Sequence, residues 1–280
     1  MSERVEIQTG REAERLVGEV RKRYARIAEA RDGCCGPEAA CGSSPAAVAA
    51  GVGYAPEDLG PVDEANLGLG CGAPIPLLQL APGETVLDLG SGPGLDCFLA
   101  AKQVGANGLV IGVDMTPEML SRARANAGKL GLRNVEFREG RLEALPVADA
   151  SVDAVTSNCV INLVPDKAAV FREVVRVLRP GGRLVVSDIV LDGRLPEAVE
   201  KDVYAYVGCI AGAARRGDYF SLLEAAGLHA VEVLKDVDYV AVMARTVPEQ
   251  VEALLAKIGV ALSQVSGRVR SITFRARKPL

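Results

Sequence analysis

The sequence predicts an α/β protein built on a doubly wound, mostly parallel sheet. Between residues 84 and 191, short runs rich in Val, Ile and Leu alternate with helix-patterned segments, the signature of βαβ units. The first run ends in the glycine-rich turn "GSGPG", and the second ends in an acid, Asp114. Right-handed crossovers between such strands place helices on both faces of one sheet.

In chain order, residues 11–31 read as a helix, because Leu16, Val20, Tyr24 and Ile27 recur at spacings of three and four. The helix stops at "DGCCGPEAACGSSP", a loop by composition. A short helix is expected at 45–50, and loop-like sequence continues to residue 74. "ETVLDLG" (84–90) is the first strand, and "LDCFLAAKQVG" a helix ending at Gly105. "GLVIGVD" (108–114) is the second strand. Thr116 is a natural N-cap, with Pro117 at the first helical position and Glu118 in the first turn; this helix runs to Gly131.

"NVEFREG" and "SVDAVTSN" follow as the third and fourth strands, then "DKAAVFREVVRVLRPGG" as a helix stopped by Pro-Gly-Gly, and "GRLVVSDIVL" as the fifth strand. After Leu191, "LPEAVEKDVYAYVGCIAGAARRGDYFSLLEAAGL" reads as two helices around a Gly/Ala-rich centre. "HAVEVLKDVDYV" and "RVRSITFRARK" are closing strands, with "PEQVEALLAKIG" as a packing helix between them. The alternation in the basic tail fits a strand with one solvated face. These readings divide the chain into an N-terminal helix and Cys-rich loop (1–70), a sheet domain (71–192), a helical segment (193–228) and closing elements (229–280).

Composition removes several function classes. No stretch of the 280 residues reaches the 18 apolar residues of a membrane span. The start, "MSERVEIQTGREAERL", has no apolar signal core, so a cytoplasmic protein is expected. A net charge of −4 gives no electrostatic reason to expect nucleic acid. His229 is the only histidine, which argues against a Ser-His-Asp triad or a multi-histidine metal site. It reads as a surface turn residue. The seven cysteines (Cys34, Cys35, Cys41, Cys71, Cys97, Cys159 and Cys209) are an odd count, which argues against a structural disulfide framework. Metal binding, catalysis, redox sensing and burial remain.

Gly90, Gly92 and Gly94 lie in the turn from first strand to first helix, where glycine lets backbone approach a ligand closely. The pattern is G-x-G-x-G rather than the dinucleotide fingerprint. Asp114 can accept hydrogen bonds from ribose hydroxyls. "VLDLGSGPG", "GVDMTPEML", "LPVADASVDAV" and "VLRPGGRLVVSDI" resemble the motifs of class I S-adenosylmethionine-dependent methyltransferases. That resemblance implies a Rossmann-like sheet of seven strands whose last strand is antiparallel. It also implies that Asp88 and the Gly turn flank the methionine part of the cofactor, that Asp114 holds the ribose, and that Met115 and Leu142 lie against adenine. Asn158, at the end of the fourth strand, joins these cofactor-binding candidates.

Ligands of open α/β sheets bind beyond the carboxyl ends of the strands. Cys159, in "SNCVINL", follows the fourth strand and should face that crevice. Cys71 sits between glycines just before the sheet domain, and Cys209 lies on the segment expected to fold over the strand ends. Three converging thiolates make a soft-ligand site, and the C-x-x-C pairs usual for structural zinc are absent. Cys97, on a helix of the sheet domain, reads as a small buried residue.

"NLGLGCG", "GSGPGLDCF", "VDMTPEML", "SNCVINLVPDKA" and "GCIAGA" together resemble arsenite S-adenosylmethionine methyltransferases of the prokaryotic type. The resemblance implies As(III) bound by Cys159 and Cys209, with Cys71 participating, and S-adenosylhomocysteine as a product. It implies that 71–192 bind the cofactor, that 193–228 form a helical substrate-binding cap, and that N-terminal loop cysteines serve relay and disulfide steps. Related bacterial sequences often carry a second adjacent cysteine pair. Here Ala40 precedes Cys41, which leaves open which of Cys34, Cys35 and Cys41 is functional. The expected partners are arsenite, methylarsenite and a thiol reductant such as thioredoxin or glutathione, acting on a monomer. Two alternatives stand beside this reading: a methyltransferase for a small organic acceptor such as a quinol or sterol, and a non-catalytic metalloid-binding or redox-sensing protein.

Overall fold

Seven strands form one sheet in the order β3-β2-β1-β4-β5-β7-β6. They are β1 (Thr85–Leu89), β2 (Leu109–Asp114), β3 (Val135–Glu139), β4 (Val152–Asn158), β5 (Leu178–Leu191), β6 (His229–Asp238) and β7 (Val269–Arg277). The structure is a computed structural model of the 280-residue chain, and it describes residues 10–30, 45–200, 210 and 212–280. β1 pairs in parallel with β2 and β4, β2 with β3, and β4 with β5. β7 is antiparallel to both β5 and β6, so the last strand runs against the sheet as the resemblance implies. The strand order reverses between β1 and β4, which opens a crevice at their carboxyl ends.

Alternate residues of the central strands feed two cores. Leu87, Leu89, Val155 and Val186 pack on one face with Phe171 of α7 (Lys167–Val177) and Tyr219 of a later helix, Arg216–Ala225. Val86, Val110, Ala154 and Val185 pack on the other with Phe98 and Val104 of α5 (Leu95–Val104) and Ile75 of a short helix, Ile75–Leu78. Phe171, Tyr219 and Phe274 meet edge to face at 5.5 and 5.7 Å, geometry that contributes about 0.5–1.5 kcal/mol per pair beyond burial. The N-terminal helix α1 (Arg11–Ala30) packs Ile27 and Ala28 against Met119 of α6 (Pro117–Lys129). Its side chains Val17, Val20 and Tyr24 thereby reach the wall of the strand-end crevice.

Several expectations are corrected. Helix α7 ends at Val177, before "LRPGG", which opens β5. The β4–β5 register shifts between Val152 and Ala154, so Pro180, which has no amide to donate, sits in a bulge. Gly181 takes φ +75° there, and its amide bonds the Lys278 carbonyl at 3.1 Å. Thr116 stands at the N-cap of α6, but its side chain makes no capping bond; its amide donates to Asp114 instead. The basic tail forms an interior strand with no solvated face: Ser271, Ile272, Thr273, Phe274 and Ala276 are all buried, and Arg270 and Arg275 pair with Asp236 and Glu232 of β6.

Residues 45–65 are largely helical rather than loop: Pro45–Val52, Pro56–Leu59 and a 3-10 turn at Gly60–Ala65. A further helix, Tyr239–Thr246, precedes Pro248–Ile258. Of the two helices expected in 195–228, the structure shows Glu197–Glu200 and Arg216–Ala225, and residues 201–209 and 211 lie outside those described. His229 is exposed at the start of β6. Among the described residues, no helix is long and apolar enough to cross a membrane.

Candidate active site

An open cleft of about 1190 Å³ lies over the carboxyl ends of β1, β2 and β4. One half is built from the turn after β1. Gly90, Gly92 and Gly94 have φ of +67°, +52° and +101°, the left-handed region that disfavours other residues. A Cβ on Gly90 would lie 2.4 Å from Val160 Cγ2, whereas one on Gly92 would meet open space. The turn is pinned by the Gly90 and Ser91 amides, which donate to the Val113 carbonyl at 2.8 and 3.0 Å. The Gly92 amide donates to Asp114 Oδ2 at 2.9 Å, and the Thr116 amide to Oδ1 at 2.8 Å. Burial raises the Asp114 pKa, and these amides partly offset it. Met115 and Leu142 add apolar wall beside it.

Beneath the turn lie two more carboxylates. Asp88 accepts from Cys97 Sγ at 3.2 Å, and Asp96 accepts from Tyr54 Oη at 2.7 Å. Burial pushes Asp96 up to about 6, and burial together with the Asp96 charge holds Asp88 well above the usual carboxylate range. Cys97 is buried as expected, and it also serves as a donor to Asp88.

The other half of the cleft carries thiols. Cys159 follows β4 directly, with φ +59°, and its amide donates to the Ser187 carbonyl at 2.8 Å. A left-handed non-glycine residue costs about 1–2 kcal/mol, a strain that often marks functional sites. Cys71 is held by its neighbours. A Cβ on Gly72 would lie 2.5 Å from Ser187 Oγ, and one on Gly70 2.8 Å from Asn158 Nδ2. The Cys71 carbonyl accepts from Ser271 Oγ at 2.6 Å, and its amide donates to Asn158 Oδ1 at 3.1 Å.

The ligand atoms of Cys71, Cys159 and Asp188 all lie within 4.8 Å of one another, and all three residues are buried. Asp188 Oδ1 accepts from Asn162 Nδ2 at 2.8 Å and the Ile189 amide at 2.9 Å, and Oδ2 accepts from Tyr219 Oη at 3.0 Å. Burial pushes Asp188 up to about 6.

The structure therefore gathers Asp88, Gly90, Gly92, Asp114, Met115, Leu142, Asn158 and Cys159 around one cleft, with Gly94 ending the turn and Cys71 beside Cys159. Asn158 borders the cleft, yet its hydrogen bonds run to the Cys71–Gly72 backbone, Tyr54 and Asp96. Cys34, Cys35, Cys41 and Cys209 lie outside the described residues. Sequence reasoning missed Tyr54, Asp96 and Asp188. The signal for Asp188 was an acid inside the apolar strand run "VVSDI"; Tyr54, in a loop-like stretch, carried none.

A doubly wound sheet with this turn, this acid and this strand-end cleft defines the class I methyltransferase fold, and the profile of a methyltransferase domain matches residues 80–227. The chain is 50% identical over 224 residues to an arsenite methyltransferase of Halobacterium salinarum, covering 76% of this chain and 57% of that protein. It is 44% identical over 174 residues to an arsenite methyltransferase of Aquipseudomonas alcaligenes, covering 60% and 50%. The chain thus spans about half the length of the curated relatives it matches. Among solved structures, an arsenic(III) S-adenosylmethionine methyltransferase from Chlamydomonas reinhardtii matches with TM-score 0.61 and 37% identity, covering 83% of this chain and 74% of that one. The chain belongs to the methyltransferase-domain family and, within it, to the arsenite methyltransferases.

Proposed function

We propose that this chain transfers methyl groups from S-adenosylmethionine to As(III) held by cysteine thiolates. The observation that carries the reading is the pairing of Cys159 and Cys71 at the edge of the cleft that also holds the Gly turn and Asp114. The residues fit the methyl donor. Asn66 Nδ2 and Ser91 Oγ are buried polar atoms without a partner, and both residues line the cleft beside open space at Gly92. Asp114 would hold the ribose, Met115 and Leu142 the adenine, and Asp88 with the Gly turn the methionine part. Bound there, S-adenosylmethionine supplies an electrophilic sulfonium methyl and leaves as S-adenosylhomocysteine.

The thiols do the rest. Cys71 and Cys159 lose their protons on ligating arsenic, and Cys209 is the third ligand in this reading. Thiolate-held As(III) keeps a lone pair, and in this reading the thiolates would hold it facing the methyl donor in a near-attack arrangement. No proton leaves the arsenic nucleophile, so no general base is required, in keeping with a chain whose one histidine is exposed and remote on β6. Keeping arsenic trivalent between rounds calls for thiols. Cysteines of the 34–41 loop and a reductant such as thioredoxin or glutathione supply them in this reading, in a cytoplasmic setting. In the same reading, 71–192 bind the donor, 193–228 cap the arsenic, and 229–280 complete the sheet.

The test is to incubate the purified chain with arsenite, S-adenosylmethionine and excess thiol and to separate the arsenic species. Methylarsenicals from wild type, lost in Cys159→Ser, are expected. Inorganic arsenic alone, from a chain shown to bind the donor, would refute the reading.

A further inference from the structure

Methylation of thiolate-bound arsenic leaves one buried group unused. Asp188 is fully buried on β5, yet its carboxylate lies within 4.8 Å of both the Cys71 and Cys159 sulfurs. As(III) is satisfied by soft thiolates. Two sulfurs and a carboxylate oxygen are instead a mixed donor set suited to a borderline divalent cation. We propose that Cys71, Cys159 and Asp188 form a site for Zn²⁺ or Cd²⁺, whose occupation blocks the arsenic site.

The surroundings of Asp188 are those of a metal-binding carboxylate. Asn162, the Ile189 amide and Tyr219 fix its orientation with three hydrogen bonds, the outer support that ligating carboxylates usually have. Oδ2 accepts only the Tyr219 hydroxyl among these three, which leaves it a lone pair for coordination. Lys167, the neighbouring cation, donates to the Asn162 and Val164 carbonyls at 3.3 and 3.2 Å, and its charge also acts on Asp188.

Zinc takes sulfur at about 2.3 Å and carboxylate oxygen at about 2.0–2.2 Å, so tetrahedral ligand atoms stand about 3.5–3.8 Å apart. With the present atoms within 4.8 Å of one another, closing the group requires at most about 1 Å of movement, within reach of side-chain rotation at the two cysteines. Both thiols release their protons to solvent on binding. Three protein ligands leave a fourth position, and Cys159 borders the open cleft. A divalent d¹⁰ cation has no lone pair to accept a methyl group, so it occupies the site without turnover.

The metal site stands on its own geometry, whereas its effect on methylation rests on the proposed function. The test is cadmium titration of the full chain carrying Cys34→Ser, Cys35→Ser, Cys41→Ser and Cys209→Ser, read by the sulfur-to-cadmium charge-transfer band and by competition with a chelator. One equivalent is expected, with the band abolished by adding Cys71→Ser. Losing a ligand's hydrogen-bond partner costs about 10–100-fold in metal affinity. Tyr219→Phe, which keeps the ring packing, should therefore weaken cadmium at least about tenfold, and Asp188→Asn should do so by at least as much.

Unchanged affinity in Tyr219→Phe would overturn the proposal, leaving Asp188 as an anchor for Tyr219 and Asn162 only. This variant decides the matter even if Asp188→Asn does not fold. In the natural chain, cadmium should raise the apparent KM for arsenite without lowering the limiting rate. An intact cadmium site in a chain that never methylates arsenite would refute the proposed function and leave the metal site standing.

Discussion

Asn158 accepts the backbone amide of Cys71 on Oδ1 at 3.1 Å, while its Nδ2 donates to Tyr54 Oη at 2.7 Å and Asp96 Oδ2 at 3.1 Å. One carboxamide therefore ties the thiol half of the cleft to the acids of the other half. Replacing it with alanine strips the Cys71 and Gly72 backbone of partners, and each unsatisfied buried group costs about 1–3 kcal/mol. Asn158→Ala should lower the arsenite methylation rate at least about tenfold, equivalent to about 1.4 kcal/mol in the barrier. Cysteine alkylation should still show Cys71 and Cys159 present and reduced. Full activity in this variant would mean that the carboxamide does not set the thiol position.

Gly90→Ala places a methyl 2.4 Å from Val160 Cγ2 at a φ of +67°. Overpacking and the left-handed backbone each cost about 1–3 kcal/mol. The variant should unfold at a clearly lower urea concentration and bind S-adenosylhomocysteine at least about tenfold more weakly. Calorimetry checks the second effect, and an unaltered affinity would show that the turn tolerates a side chain.

Asp114→Ala removes the acceptor of the Gly92 and Thr116 amides as well as the acid facing the cleft. The turn then loses two charge-assisted bonds of about 1.5–3 kcal/mol each. Donor binding should fall by well over tenfold, while arsenite binding by the thiols is retained. Loss of both affinities together would point to collapse of the whole sheet end, which a thermal midpoint distinguishes.

The pH dependence of stability has a definite sign. Asp96 is pushed up to about 6 by burial, from about 3.9 in an unfolded chain. The folded state thus holds the extra proton, so this contribution is fully present below about pH 4. It is lost as pH rises through about 6, and it amounts to about 2–3 kcal/mol. Asp96→Asn removes it at all pH values. The stability of the variant minus that of wild type should rise by that amount between pH 4 and pH 7 in urea titrations. A difference independent of pH would contradict the burial of an ionisable Asp96.

The parts of the site made by local rules were legible in the sequence. The Gly turn, Asp114 and Cys159 all sit at strand ends, where apolar runs stop and turn chemistry begins. The antiparallel last strand came from resemblance rather than pattern. What escaped depended on distant partners. Asp188 reads as a strand residue until β5 sets it beside Cys71 and Tyr219. Tyr54 gains meaning only from its contact with Asp96. The helix at Tyr239–Thr246 was hidden because "YVAVM" continues the apolar texture of β6; Asp238, whose side chain accepts the Ala241 amide, caps it. The bulge at "RPGG" looked like a helix stop because proline and glycine end helices and kink strands alike.

The most direct test of thiolate-held arsenic is X-ray absorption at the arsenic edge of the chain loaded with one equivalent of arsenite. Wild type should show arsenic coordinated by sulfur, and Cys159→Ser and Cys71→Ser should each show one sulfur fewer. An all-oxygen shell, or a sulfur count unchanged in both variants, would contradict the placement of the substrate between these two cysteines.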